Sequence, residues 1–366
     1  MSRPAKAIID LAAIRHNYQL AQQLAPNAQT LAVVKANAYG HGSVAVAKTL
    51  EPLAPALAVA CIEEALELRQ AGIVKPILLL EGVFSADEVH IASAENFWLV
   101  INSSTQIEMI AAASVSQPLT VWLKADSGMH RLGLSGQPFR AAYLRLKSLP
   151  QVHDRVVIAT HFAAADELES PYTQYQLDCF TAMVTGLGAP VSLANSAAIM
   201  AWPQAQGDYT RPGIMLYGSS PFNQPQINAE RLKPVMTLES AVISVRTLDA
   251  GETVGYGRNW TAQRRSTIAT VAIGYGDGYP RQTPNGTPVF INGQQAALAG
   301  HVSMDMITVD VTDLDSVEVG DKVELWGHHI ALNDVAERVG TISYELVTRM
   351  PQRTPRVYID TEKDAV

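Results

Sequence analysis

Residues 31–42 read LAVVKANAYGHG and place one lysine where chemistry is possible. The apolar run 31–34 ends at Lys35, and Asn37, Tyr39, Gly40 and Gly42 follow. Such a run reads as a buried strand that delivers the lysine to a polar strand end. The two glycines let the backbone turn tightly and approach a ligand closely. Desolvation lowers a lysine's pKa, and a neutral amine is a nucleophile able to form a Schiff base. Taken alone, these residues fit a solvated lysine after a strand equally well.

Further polar residues fall in short motifs down the chain. They are KADSGMHRLG at 124–133, THF at 160–162, NS at 195–196, RPGIMLYG at 211–218, VGYG at 254–257, IGYGDG at 273–278 and SMD at 303–305. With VVKANAYGHG at 33–42, these motifs, in this order, resemble those of the alanine racemase family. The resemblance runs from near the N-terminus to about residue 345.

That resemblance implies a pyridoxal 5'-phosphate enzyme that interconverts L- and D-alanine, with Lys35 holding the cofactor and the cofactor acting as the electron sink. Once freed, the Lys35 amine would be the base on one face of the substrate. Tyr256, within VGYG, resembles the family's second base, which acts on the opposite face and comes from the partner subunit. A homodimer with shared sites is thereby implied. A phenol titrates near pH 10, so such a tyrosine needs a nearby cation to serve as a base. Read without the resemblance, Tyr256 is a turn tyrosine packing its ring on a domain face.

The same resemblance sets Arg211 against the cofactor's pyridine nitrogen, where a guanidinium that cannot give up its proton keeps that nitrogen unprotonated. His161 would share its hydrogen-bond network and link it to Tyr256. Phosphate donors would come from Asn195 and Ser196, with Ser196 near the N-cap of a helix. Gly213, Ile214, Tyr39 and, in ISYE at 342–345, Tyr344 would add to them. Arg131 resembles the arginine that reaches the cofactor's phenolic oxygen and the substrate carboxylate. Lys124 resembles a lysine often carbamylated in the family, a modification that turns a cation into an anion able to hold Arg131. Met304 and Asp305 resemble residues that enter the partner's site, and Tyr275 one that lines the entrance. Rival readings are a racemase of another small amino acid such as serine, a decarboxylase on a related barrel, and a cofactor carrier without catalysis.

These residues need elements to carry them. The chain has 366 residues, enough for about two domains, with 48% hydrophobic and 17% charged residues. A net charge of -8 argues against nonspecific nucleic-acid binding. The first ten residues do not read as a signal peptide, and no apolar run is long enough to span a membrane. Cys61 and Cys179 read as buried free thiols, which suits a reducing cytoplasm, and the histidines and cysteines give no metal-ligand cluster.

A helix over 10–25 stops at Pro26. Strand-like runs follow at 31–34, 57–61, 76–80, 97–101, 119–125, 156–160, 191–194 and 211–216, separated mostly by helical segments. Eight such units over ~200 residues predict a closed TIM-type (β/α)8 barrel. An open dinucleotide-type sheet is the alternative, but no G-x-G-x-x-G follows the first strand. Lys35, Lys124, His161, Asn195 and Arg211 fall at or just past strand C-terminal ends, the face on which barrels build their sites. Beyond about residue 228 helical periodicity fades and turns recur every ~10 residues. Domains are therefore expected at 1–228, a barrel with the cofactor lysine, and at 229–366, a mostly β domain that serves the partner's site.

Overall fold

Apolar runs become short parallel strands in the computed structural model, which describes residues 3–361. Met1 and Ser2, part of the N-terminal stretch read above, and residues 362–366 lie outside the described residues. The chain forms two compact units. One comprises Ile14–Ala38 and Ser43–Leu232; the other comprises residues up to Ala13, Tyr39–Gly42 and those from Lys233 on.

The first unit is a nearly closed parallel barrel. Its strands run Leu57–Val59, Ile77–Leu79, Phe97–Ile101, Val121–Lys124, Val157–Ala159, Val191–Ser192 and Tyr209–Thr210, each paired with its neighbour in sequence. Closure falls to residues 29–33, a run divided at Leu31. Its first half pairs with Tyr209–Thr210, and its second half, through Ala32 and Val33, with Leu57 and Ala58. Nearly every strand residue is buried, as expected of parallel strands covered on both faces. Trp122 is fully buried and packs on Tyr209 with ring centroids 5.0 Å apart. Helices fall where the sequence predicts them, for example Ile62–Gln70, Ser104–Ala112 and Tyr172–Val184. Ser103 caps the second of these by accepting the Gln106 amide.

The last barrel strand differs from the expected 211–216. It ends at Thr210, and Ile214–Tyr217 is a 3-10 turn. Pro212 has no N–H to offer a sheet, and Gly213 (φ −113°, ψ −96°) leaves strand geometry altogether. Cys61 and Cys179 are free, but both are partly exposed rather than buried.

The second unit is an antiparallel β domain. Strands Ser266–Val271, Ile307–Asp310, Gln294–Leu298, Pro288–Ile291, Lys322–Trp326 and Met236–Leu248 follow one another. The long strand Met236–Leu248 pairs back onto Ser266–Val271, which closes these six into a ring. Two strands that the sequence reading did not assign extend this sheet. Lys6–Asp10 pairs antiparallel with Met236–Leu248, and Arg356–Ile359 pairs parallel with Lys6–Asp10.

Candidate active site

Lys35 leaves the barrel strand half-buried and opens an unusual turn. Ala36, Asn37, Ala38 and Tyr39 all have φ between 50° and 54°, a left-handed turn built without glycine. L-residues resist this conformation by about 1–2 kcal/mol each, so tertiary contacts must hold it. The Ala38 amide bonds back to the Val34 carbonyl at 2.9 Å, the Asn37 side chain accepts the Ser43 amide at 2.8 Å, and the Glu64 carboxylate accepts the Ala36 amide at 2.6 Å. Gly40 ends the turn at φ +78°, where any Cβ would collide with the Val347 carbonyl. Burial, and then the charge of Arg131, depress the Lys35 amine below the ordinary lysine range, while Glu81 and Glu64 pull the other way.

Lys124 ends its strand exactly one residue before the loop that carries Arg131. The Asp126 carboxylate folds this loop by accepting the Gly128 and His130 amides at 3.1 and 3.0 Å. Leu134 N–H then donates to the Lys124 carbonyl at 3.0 Å and closes the loop at its base. Arg131 is exposed at the tip. Burial pushes the Lys124 amine down to about 7, helped by Arg211 and Arg131. Burial, followed by the charges of Lys124, Arg211, Arg131 and Lys35, holds the His161 imidazole well below its usual value, so it is neutral near pH 7.

Arg211 is buried, and burial lowers its guanidinium to about 10, still protonated at neutral pH. Its fork donates to the Thr160 carbonyl at 2.6 Å, to the Leu193 carbonyl at 3.2 Å and to the Ser192 hydroxyl. Through the Thr160 carbonyl Arg211 grips the peptide that leads into His161. Asn195 is the N-cap of helix Ser196–Ala201 and accepts the Ala198 amide at 3.1 Å, with Ser196 next to it as expected. The buried Ser196 hydroxyl accepts from the Gly213 amide at 2.9 Å and the Met215 amide at 3.3 Å, which brings Ser196, Gly213 and Ile214 together.

Other candidates lie in the second unit. The rings of Tyr39 and Tyr344 face each other at 6.2 Å. Tyr256 sits at the tip of the hairpin that pairs Val254 with Trp260, and 71% of it is exposed, so it does not pack its ring on its own unit. Asn259 in this hairpin bonds His301 at 3.0 Å. Tyr275 and Met304 are also exposed, on two loops bound together. The Tyr275 and Gly276 amides donate to the Ser303 and Met304 carbonyls at 3.0 and 2.9 Å. Gly274 must be glycine, because a Cβ there would strike the Ser303 carbonyl. Asp305 pairs with Arg353, so its carboxylate serves the loop. Arg353 also reaches the buried Asp277 at 3.1 Å, and Arg3 reaches the same carboxylate at 2.6 Å.

Two family models match the chain. The alanine racemase N-terminal domain covers residues 9–221, and the alanine racemase C-terminal domain covers residues 235–358. The chain belongs to the alanine racemase family. It is 52% identical to the alanine racemase of Pseudomonas taetrolens over 98% of this chain and 99% of that one. It is 51% identical to the catabolic alanine racemase of Pseudomonas aeruginosa over 97% of this chain and 99% of that one. The crystal structure of the biosynthetic alanine racemase from Pseudomonas aeruginosa superposes with a TM-score of 0.94 at 49% identity, covering 98% of this chain and 99% of that chain. Membership of the family makes the protein an isomerase of amino acids.

Several residues that shape this racemase-family site escaped the sequence reading. Glu64 reaches the Ala36 amide, and Asp277 reaches Arg3 and Arg353, all far away in sequence, and no local pattern announces those contacts. Asp126 had a usable signal: an Asp–Ser–Gly run favours a turn in which the carboxylate accepts amides further on.

Proposed function

We propose that the protein interconverts L- and D-alanine with pyridoxal 5'-phosphate, using Lys35 and a Tyr256 supplied by a second copy of the chain. One observation carries this reading. A desolvated lysine opens a rigid turn and feels the charge of Arg131, while Arg211 and Arg131 both act on the neighbouring Lys124; two guanidinium groups suit an aldehyde bearing a phosphate.

Lys35 would be the attachment point. Asn195, Ser196, Gly213, Ile214, Tyr39 and Tyr344 would hold the phosphate, with the Ser196 hydroxyl and the paired tyrosine rings in support. When bound, the cofactor supplies the electron sink that acidifies the substrate's α-carbon. Arg211, its fork fixed by three acceptors, holds its proton and leaves the ring nitrogen without one. The neutral His161 beside it adds no proton of its own. Arg131 binds the substrate carboxylate, near the Met304 backbone of the second copy, while Asp305 fixes that loop. Lys35 removes or returns the proton on the D-face, and Tyr256 does so on the L-face. Tyr275 and Tyr344 narrow the entrance to small side chains.

Lys124 is the carbamylation site in this reading. An amine held near 7 has a substantial neutral fraction at pH 7, and its nitrogen adds to carbon dioxide with loss of a proton. The resulting anion anchors Arg131. Exposure of Tyr256, Tyr275, Met304 and Ile342 on one unit supports a homodimer in which another copy covers them. On this reading residues 1–228 hold the cofactor, and residues 229–366 complete the site of the second copy. Among the described residues no helix is long and apolar enough to cross a membrane, and two free thiols fit a cytoplasmic setting.

Incubation with L-alanine in deuterated water tests the reaction. Exchange of the α-proton together with the appearance of D-alanine is expected. Exchange without D-alanine would sink the two-face mechanism.

A further inference from the structure

We propose that Glu64 is the positioning residue for Lys35: its carboxylate bridges two barrel strand ends, locks the left-handed turn and keeps an anion beside the amine. The inference rests on the role proposed above for Lys35.

The strand that carries Lys35 pairs with its neighbour in a regular parallel ladder. The Ala32 amide donates to Ala56 and the Val34 amide to Ala58, at 3.2 and 2.8 Å. The next rung in this register would run from the Ala36 amide to the Ala60 carbonyl. It does not form. The Ala36 amide turns to Glu64 Oε1 at 2.6 Å, and the Ala60 amide donates to Glu64 Oε2 at 2.8 Å. One carboxylate thus ends the ladder at the residue after Lys35, just where the backbone becomes left-handed.

Glu64 lies in the first turn of helix Ile62–Gln70. Cap residues in a first turn commonly serve their own helix; here both acceptors are spent on strand ends. The charges that act on Lys35 are Arg131, Glu81 and Glu64, and Lys124 and His161 in turn feel the charge of Lys35. Glu64 therefore does two things at once: it holds the turn by geometry and steadies the protonated amine by charge.

Glu64→Gln and Glu64→Asp separate the two. Full-length protein freed of cofactor is acylated across a pH series, and the midpoint of Lys35 reactivity is read by peptide mass spectrometry. In parallel, capture of pyridoxal phosphate on Lys35 is fixed with borohydride and timed. The Gln variant loses the anion, and its midpoint should fall by about half a pH unit or more. The Asp variant keeps the charge but is too short to span both amides. It should keep the wild-type midpoint and capture the cofactor about tenfold more slowly. Glu63→Gln, which removes a charge from the same helix turn without touching the strand ends, should change neither readout. A Gln variant with the wild-type midpoint, or an Asp variant with the wild-type capture rate, overturns the proposal, whatever happens to melting temperature. Failure of the wild-type protein to fix the cofactor on Lys35 overturns the cofactor reading instead, and a shifted midpoint would still report the action of Glu64.

Discussion

Arg211 donates from Nη2 to the carbonyl oxygen of Thr160 at 2.6 Å, so the guanidinium grips the peptide that leads into His161. The two cannot be displaced independently. Arg211→Lys keeps the charge but has no fork, and it strands some of the acceptors at Thr160, Leu193 and Ser192. Each buried polar group left unpaired costs about 1–3 kcal/mol. Urea denaturation should show a loss of that order, and racemisation should fall by about a hundredfold or more. Wild-type stability in this variant would show that the fork is not what holds the strand ends.

Tyr256→Phe should behave in the opposite way. The hydroxyl lies on an exposed hairpin tip, so stability should stay within about 0.5 kcal/mol of wild type. Racemisation should drop by about 100-fold or more, as expected when a positioned acid–base group is lost. Exchange of the D-alanine α-proton should outlast exchange from the L-isomer. Equal loss from both isomers would assign the tyrosine some other task.

Lys124 gives a pH signature. The fold holds its amine at about 7, against about 10.4 in the unfolded chain. Between these values the unfolded chain binds more protons, so the contribution of Lys124 to stability is lowest below pH 7 and rises towards the unfolded value. The swing is on the order of a few kcal/mol. Denaturation at several pH values in buffer free of carbon dioxide should show this rise in wild type but not in Lys124→Met. Bicarbonate should flatten the wild-type curve and add the mass of one carbon dioxide to the native protein. Identical slopes for the two proteins without carbon dioxide would contradict the assignment.

Gly40 and Gly72 make a matched pair. Both have positive φ, +78° and +91°, but a Cβ at Gly40 would meet the Val347 carbonyl whereas one at Gly72 would meet nothing. Gly72→Ala should cost about 1 kcal/mol from backbone strain alone. Gly40→Ala should cost several times as much and slow the binding of pyridoxal phosphate, because the turn after Lys35 must shift. Melting temperatures of the two variants side by side decide the matter.

The barrel was legible because parallel strands covered on both faces leave continuous apolar runs, as at 57–59 and 77–79. Lys35, Lys124 and His161 were legible as strand-end residues, since strand ends could be read from where those runs stop, whereas the run at Arg211 was expected to begin there. The left-handed turn was not. Alanine and tyrosine carry no local preference for it, and it depends on the Asn37–Ser43 bond and on Glu64, which only the pairing of neighbouring barrel strands brings near. The strand expected at 211–216 failed locally, because Pro212 and Gly213 outweigh an apolar run. Strand Lys6–Asp10 was invisible for another reason: Ile8 pairs with Thr237 and Val357, and no pattern in ten residues reveals partners so distant.

That strand also sets a timetable. Every strand of the barrel is synthesised before residue 233 is added. Lys6–Asp10 is made before the barrel, yet its two sheet neighbours, Met236–Leu248 and Arg356–Ile359, are made after it. Until Met236–Leu248 is made it presents two bare edges to any other nascent chain. The barrel can fold while synthesis continues, but the second unit is finished only once Arg356–Ile359 has been made and clasps Lys6–Asp10.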